Sequence, residues 1–292
     1  MSATDSKTAA DVKVPTGFHI KFEGRMVLLG FGAIGTGLLP LIVRHVDMNI
    51  SQLTILDAEI SDARKEIAKQ YGVTKLVEQG VTLDNYKTLI PSLLGAGDLL
   101  VNVSVDVGCI DVIKLCAEHG ILYVDSSVEP WPGTYDNPDL SMSLRSNYAF
   151  REHLLQAKRA MKPNGPTAVV SHGANPGLVS HLVKQALLNI AHDTGVTVDV
   201  PSTREGWAAL AKQLGIKAIH VAERDTQVSP IAKKDNEFVN TWSVDGCLGE
   251  SCQPAELGWG THEKELPADA KHHEFGCDAA IYLERPGANT KV

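Results

Sequence analysis

The segment Arg25-Met-Val-Leu-Leu-Gly30-Phe-Gly32-Ala-Ile-Gly35 constrains this chain more than any other. Its short, continuous apolar run is what a strand buried on both faces requires. Past the glycines, Leu38, Leu39, Ile42, Val43 and Val46 recur at helical spacing. A lone G-x-G-x-x-G is a weak signal. Between a buried strand and an amphipathic helix it marks a dinucleotide-binding βαβ unit. Gly30 permits the tight turn, Gly32 lets a pyrophosphate approach the backbone, and Gly35 lets helix and strand pack closely. Ala33 and Ile34 open the helix, whose free N–H groups and positive dipole end face the phosphates. The plainer reading is a glycine-rich turn.

Leu53-Thr-Ile-Leu-Asp57 is the second strand. Asp57 closes it where a carboxylate accepts hydrogen bonds from the adenosine ribose hydroxyls. A 2′-phosphate would meet like charge there, and Ala58 and Glu59 supply no cation. The expected cofactor is therefore NAD rather than NADP. The plainer role for Asp57 is to cap the next helix.

Strands and helices continue to alternate: a helix over Ser61–Tyr71, a strand near Val73–Glu78, strands at Asp98–Ser104 and Ile121–Asp125, and a helix over Ile110–Glu118. This implies a Rossmann-like, doubly wound parallel sheet of the α/β class with right-handed crossovers. After Ser127 come Pro130 and Pro132, a polar helix over Ser146–Met161, a strand over Thr167–Ser171 and a helix to His192. From Gly195 on, helix and strand no longer alternate. Arg204–Leu214 reads as a helix, and Ile216–Ala222, Phe238–Val244 and Ala279–Leu283 read as strands of an α+β region. The expected division is a tail over 1–20, a nucleotide domain over 21–172 and a substrate and oligomerisation domain over 173–292, incomplete at its end. With 292 residues, two domains is the ordinary expectation.

The composition is that of a globular protein, with 43% apolar residues and a net charge of −8. The acidic balance argues against a protein that wraps nucleic acid. No apolar run is long enough for a membrane span, and Met1–Gly17 lacks the apolar core of a signal peptide. The five cysteines form no CxxC pair and are odd in number, so reduced thiols of a cytoplasmic protein are expected rather than a disulfide or zinc framework. His272, His273 and Cys277 give no tetrahedral metal set.

In an open parallel sheet, ligands bind beyond the carboxyl ends of the strands. Asn102-Val-Ser104-Val-Asp106, Asp125-Ser-Ser127 and Gly173-Ala-Asn175 all lie on that rim. Asn102, Ser104, Asp106 and Asp125 are expected around the nicotinamide. Glu129 in Val-Glu-Pro-Trp, Glu223 in Ala-Glu-Arg-Asp-Thr-Gln and Glu250 in Gly-Glu-Ser-Cys-Gln-Pro sit among Trp, Gly and Pro. With Trp242, such acids suit an ammonium ligand: the acids neutralise it and the ring quadrupole attracts it. Each has a plainer reading. Glu129 is then a turn residue, Glu223 a partner of Arg224 or Lys217, Glu250 an exposed loop acid and Trp242 core.

These motifs, with Gly173-Ala-Asn-Pro-Gly177, Gln253-Pro-Ala-Glu-Leu-Gly-Trp259 and Pro286-Gly-Ala-Asn289, resemble the bacterial homospermidine synthases of the saccharopine-dehydrogenase-like group. The resemblance implies a transferase of polyamine biosynthesis that couples two putrescine molecules. Tightly held NAD oxidises one diamine to an imine, ammonia leaves as a second diamine enters, and the hydride returns to the new Schiff base. It also implies that Glu129, Glu223 and Glu250 anchor or deprotonate ammonium groups and that Trp242 holds the cationic intermediate. Asn175 and Asp106 then line the site, and the complete protein is a homodimer. Chains of this group run longer, so the resemblance also implies a truncated chain with little turnover. Two other readings stay open. One is a saccharopine or carboxynorspermidine reductase, whose pocket calls for a convergent arginine; the other is an inactive nucleotide-binding fragment.

Overall fold

The computed structural model describes residues 19–290 apart from Asp136. The tail expected over 1–20 lies almost wholly outside the described residues. Met26–Leu29 forms β2, following a two-residue strand β1 (Ile20–Lys21) that pairs in parallel with β3 (Val46–Asp47). Helix α1 (Ala33–His45) follows the glycines, and β4 (Leu53–Asp57), α2 (Asp62–Gln70) and β5 (Lys75–Glu78) complete the first half. The second half contains α3 (Tyr86–Leu93), β6 (Leu99–Asn102), α4 (Cys109–His119), β7 (Leu122–Asp125), α5 (Asn147–Ala160) and β8 (Ala168–Val169).

The sheet order is β5-β4-β2-β6-β7-β8, every pair parallel. This is the doubly wound order with its switch point between β2 and β6. Successive strand residues point to opposite faces, and the two sides of the core follow from that alternation. Val27, Leu29, Leu56, Leu100 and Tyr123 pack under α3 and α4 with Ile90, Val112, Ile113 and Cys116. Met26, Leu28, Leu53, Ile55 and Val101 pack under α1 and α2 with Leu39, Ile42 and Ala68. In-register pairing aligns Leu29 with Asn102 and Asn102 with Asp125, so the strand ends form one rim.

Helix α6 (Leu178–Asp193) leads away from the sheet to α7 (Arg204–Gln213), α8 (Val244–Cys252) and an antiparallel sheet ordered β10 (Ala270–His272), β11 (Ala280–Pro286), β9 (Pro254–Gly258). Two expectations are corrected here. Ile216–Ala222 and Phe238–Val244 are not strands: Ile216–Ala222 and Phe238–Ser243 lie in mostly exposed, irregular chain, and Val244 opens a helix. No strand among the described residues pairs with either, and an isolated strand has no ladder in which to satisfy its backbone groups. Only the segment near Ala279 is a strand. Helix α8 takes up Val244, and its N-terminus is capped by Ser243, whose Oγ accepts from Gly246 N at 3.0 Å.

Candidate functional site

The glycine turn is shaped by what lies behind it. Gly30 has φ +92°, and a Cβ there would lie 2.7 Å from Ser104 N at the end of β6. A Cβ on Gly35 would collide with the Gly30 carbonyl, so these two glycines let α1 sit directly on the turn. Gly32 differs: nothing lies within 4 Å of its Cβ position. The α1 N-terminus beside it has no side-chain cap and no acid in its first turn. Open space above free N–H groups is what a pyrophosphate needs. Ala33 and the exposed Ile34 form the lip of this cradle.

Asp57 projects from the end of β4 towards the turn. Its Oδ2 accepts from Phe31 N and its Oδ1 from Glu59 N at 3.1 Å. The carboxylate therefore fixes the glycine turn while carrying its charge on the ribose side of the cradle.

The rim beyond β6 and β7 is divided between buried and open groups. Asn102 and Asp125 are 3% and 2% exposed. Asn102 Nδ2 donates to Tyr123 Oη at 3.1 Å, and Tyr123 donates to Asp125 Oδ2 at 2.8 Å. Asn102 Oδ1 accepts from Ser104 N and Oγ at 3.1 and 2.6 Å, and Asp125 Oδ1 accepts from Ser171 N at 2.6 Å. Both side chains are spent on holding the loops that follow. Asp125 holds Ser171 and His172, which lead into the Gly173–Gly177 loop, where Asn175 is exposed. Burial pushes the Asp125 carboxyl up to about 6, against the Ser171 and Tyr123 hydrogen bonds.

Beside this rim is an acid pocket. Glu129 Oε1 accepts from Ser127 Oγ at 2.9 Å and Oε2 from Tyr135 Oη at 3.4 Å. Burial raises its carboxyl, and nearby Asp106 adds to the rise. Glu250, on the exposed side of α8, is raised by partial desolvation and by the Glu129 charge. Asp106, Glu129 and Glu250 thus lie within electrostatic reach of one another. Like charges this close favour either protonation or a cation between them. Behind Glu250, a groove of about 310 Å³ is lined by Asn147, Gln253, Ala255, Glu256 and Thr290.

Glu223 and Trp242 lie in the irregular chain between α7 and α8 and are exposed. The Trp242 ring packs over Gly246, where a Cβ would fall 2.9 Å from Cζ3. Among the described residues, no hydrogen bond or ion pair joins Glu223 or Trp242 to the Glu129–Glu250 pocket. Sequence reasoning missed Tyr135 and Gln253, which complete the pocket wall. A single tyrosine in a loop of Pro and Gly, and one glutamine ending a helix, carry no periodic signal. All five cysteines are free thiols; burial pushes Cys109 and Cys116 up to about 12. None of the described helices is long and apolar enough to cross a membrane.

Comparison with known proteins matches both halves. The model of the saccharopine dehydrogenase NADP binding domain matches residues 26–169, and that of the saccharopine dehydrogenase C-terminal domain residues 173–291. A homospermidine synthase of Blastochloris viridis is 52% identical over 275 residues, 93% of this chain and 57% of the relative. A homospermidine synthase of Mesorhizobium japonicum is 48% identical over 277 residues, 93% of this chain and 56% of the relative. The crystal structure of the Legionella pneumophila homospermidine synthase in complex with NAD superposes with a TM-score of 0.79 at 44% identity, covering 93% of this chain and 56% of that one. The chain thus spans a little over half the length of these relatives.

Proposed function

From the premise that this chain belongs to the saccharopine-dehydrogenase-like family, we propose that its protein is an NAD-dependent homospermidine synthase. Two putrescine molecules become one homospermidine and one ammonia, with no net redox change. The observation that carries this reading is the chain's 52% identity over 93% of its length to a homospermidine synthase, with two acids, Glu129 and Glu250, within electrostatic reach of each other.

The residues present fit NAD. Gly32 leaves room for a pyrophosphate, the α1 N-terminus offers N–H groups, and Asp57 would accept from the ribose hydroxyls of a bound NAD. Bound NAD would take up and give back a hydride at the carboxyl edge of the sheet. The chain supplies the rest. Glu129 and Glu250 balance the ammonium charges of the diamine. Glu129, held by burial above the usual carboxylate range, is suited to take a proton from an ammonium and return it to departing ammonia. Asp106 adds charge at the same place, and Asn175 offers an amide from its exposed loop. On this proposal Glu223 serves the second amine and Trp242 the cationic intermediate. In this reading the protein is cytoplasmic and the complete molecule a homodimer.

The test is a paired titration. Asp57 places a negative charge where NADP carries a 2′-phosphate, so NAD binds at least tenfold more tightly, and Asp57→Ala narrows the gap. Equal affinity for the two nucleotides in the wild type sinks the cofactor assignment. The protein also releases ammonia and forms homospermidine from putrescine with catalytic NAD. A requirement for stoichiometric nucleotide points instead to a reductase.

A further inference from the structure

Tyr135 stands in the middle of the acid pocket and has no part in the reading above. Its hydroxyl reaches Glu129 Oε2 at 3.4 Å, and Glu250 lies close enough across the pocket to oppose its ionisation. Its ring is set by packing. It meets Phe150 edge-on at 5.2 Å, and on the other side a Cβ on Gly249 of α8 would lie 4.0 Å from Cδ2. Its backbone oxygen accepts from Arg145 Nη1 at 3.4 Å. The tyrosine thus wedges between the nucleotide domain and the helix that carries Glu250.

The direction of the contact is set by the phenol itself: the Tyr135 hydroxyl donates to Glu129 Oε2, which as a carboxylate can only accept. Gln253 is 4% exposed, and its Nε2 makes no hydrogen bond among the described residues. Burial, with the Glu129 charge beside it, raises the phenol and keeps its proton in place.

We propose that Tyr135 is the positioning residue that holds the Glu129 carboxylate as acceptor for one ammonium group of a diamine, with Glu250 as the second acid nearby. This rests on the diamine reading proposed above. A donated hydrogen bond stabilises Glu129 as a carboxylate, and that is the form an ammonium needs. Around Glu129 stand Asp106 beyond β6, Asp125 on β7, Cys109 on α4, Tyr135 in the loop and Glu250 on α8. Burial and the Asp106 charge favour its protonation, and the Ser127 and Tyr135 hydroxyls oppose it.

Tyr135→Phe keeps the ring and its packing and removes only the hydroxyl. Putrescine binding to the NAD-loaded protein is measured by calorimetry from about pH 5 to about pH 8. The variant is expected to bind putrescine about five- to tenfold more weakly at neutral pH, as for the loss of one ordinary hydrogen bond. Its affinity also begins to fall at higher pH than in the wild type, because Glu129 protonates more readily. NAD affinity and Tm stay unchanged in the variant. Putrescine binding within twofold of wild type with the same pH profile overturns the role of Tyr135 and leaves the diamine reading standing. Equal losses of NAD and putrescine binding overturn it as well, since Tyr135 then only supports the fold. A wild-type protein that binds NAD but not putrescine overturns the diamine reading and this inference with it.

Discussion

Asp125 shows how a single residue on the rim can serve the site without facing a ligand. Its carboxyl rises from 3.8 to about 6, mainly through burial, and the hydrogen bonds from Ser171 N and Tyr123 Oη only partly offset this. That rise corresponds to a penalty of about 3 kcal/mol for carrying the charge in the folded state. Because the folded value lies above the unfolded one, the contribution of Asp125 to stability is complete below about pH 4. It is lost as pH rises through 6. Asp125→Asn keeps the shape and cannot ionise. The stability of the wild type relative to this variant is therefore expected to increase by about 2–3 kcal/mol between pH 7 and pH 4. Urea unfolding of the pair across that range is the measurement, and a constant difference argues that the carboxylate is solvated. The side chain also ties β7 to Ser171, at the start of the chain that leads into the Gly173–Gly177 loop.

At the scale of elements, the N-terminus of α5 joins the two halves. Its first N–H groups are accounted for one by one. Asn147 N donates to Glu256 Oε2 at 2.8 Å and Tyr148 N to Glu256 Oε1 at 3.1 Å. Ala149 N donates to Ser146 Oγ and Phe150 N to the Ser146 carbonyl. Glu256 comes from β9, so the three-stranded sheet supplies the anion that the helix dipole favours. His273, buried beyond β10, stacks on Tyr148 at 4.0 Å and accepts or donates at Ser143 Oγ across 2.8 Å, closing the same junction. Glu256→Gln replaces one acceptor by a donor that faces a backbone N–H. It is expected to cost about 1–3 kcal/mol in chemical denaturation with NAD affinity unchanged; a change below about 0.5 kcal/mol marks the contact as incidental. None of this junction could be read from sequence, because it depends on residues more than a hundred positions apart. The nucleotide half was legible because strands buried on both faces show as unbroken apolar runs, and Gly30, Gly32 and Gly35 have a fixed meaning between strand and helix. The second half was not. The apolar alternation in Ile216–Ala222 suits a strand, but a strand exists only where another edge receives it. Helix α8 went unseen because two glycines and two cysteines blur its period, and with it the meeting of Glu250 and Glu129 was invisible.

The molecule as a whole is uneven in how firmly its parts are held. Residues 26–169 enclose two packed core layers, whereas the chain between α7 and α8 leaves Val228 94%, Ile231 79% and Phe238 57% exposed and forms no regular element before Ser243. A segment with so little burial and no backbone ladder opens to a protease at small free-energy cost. Lys217, Arg224, Lys233 and Lys234 all lie there and are exposed. Trypsin is therefore expected to cut in this segment well before it cuts the nucleotide half. The cradle draws on Gly30–Gly35, Asp57 and the α1 N-terminus, none of which touches that segment. The nicked protein should keep NAD affinity within about twofold, since local opening far from a site leaves its binding free energy nearly unchanged. Diamine binding should respond differently, because Glu223 and Trp242 lie on the segment and Glu129 and Glu250 lie outside it. If all four act on one ligand, nicking weakens putrescine binding while NAD binding persists, and saturating putrescine slows the cleavage. Cleavage that begins within residues 26–169, or that abolishes NAD binding at the same rate, contradicts this division. Putrescine binding that survives nicking intact confines the amine site to Glu129 and Glu250 and removes Glu223 and Trp242 from it.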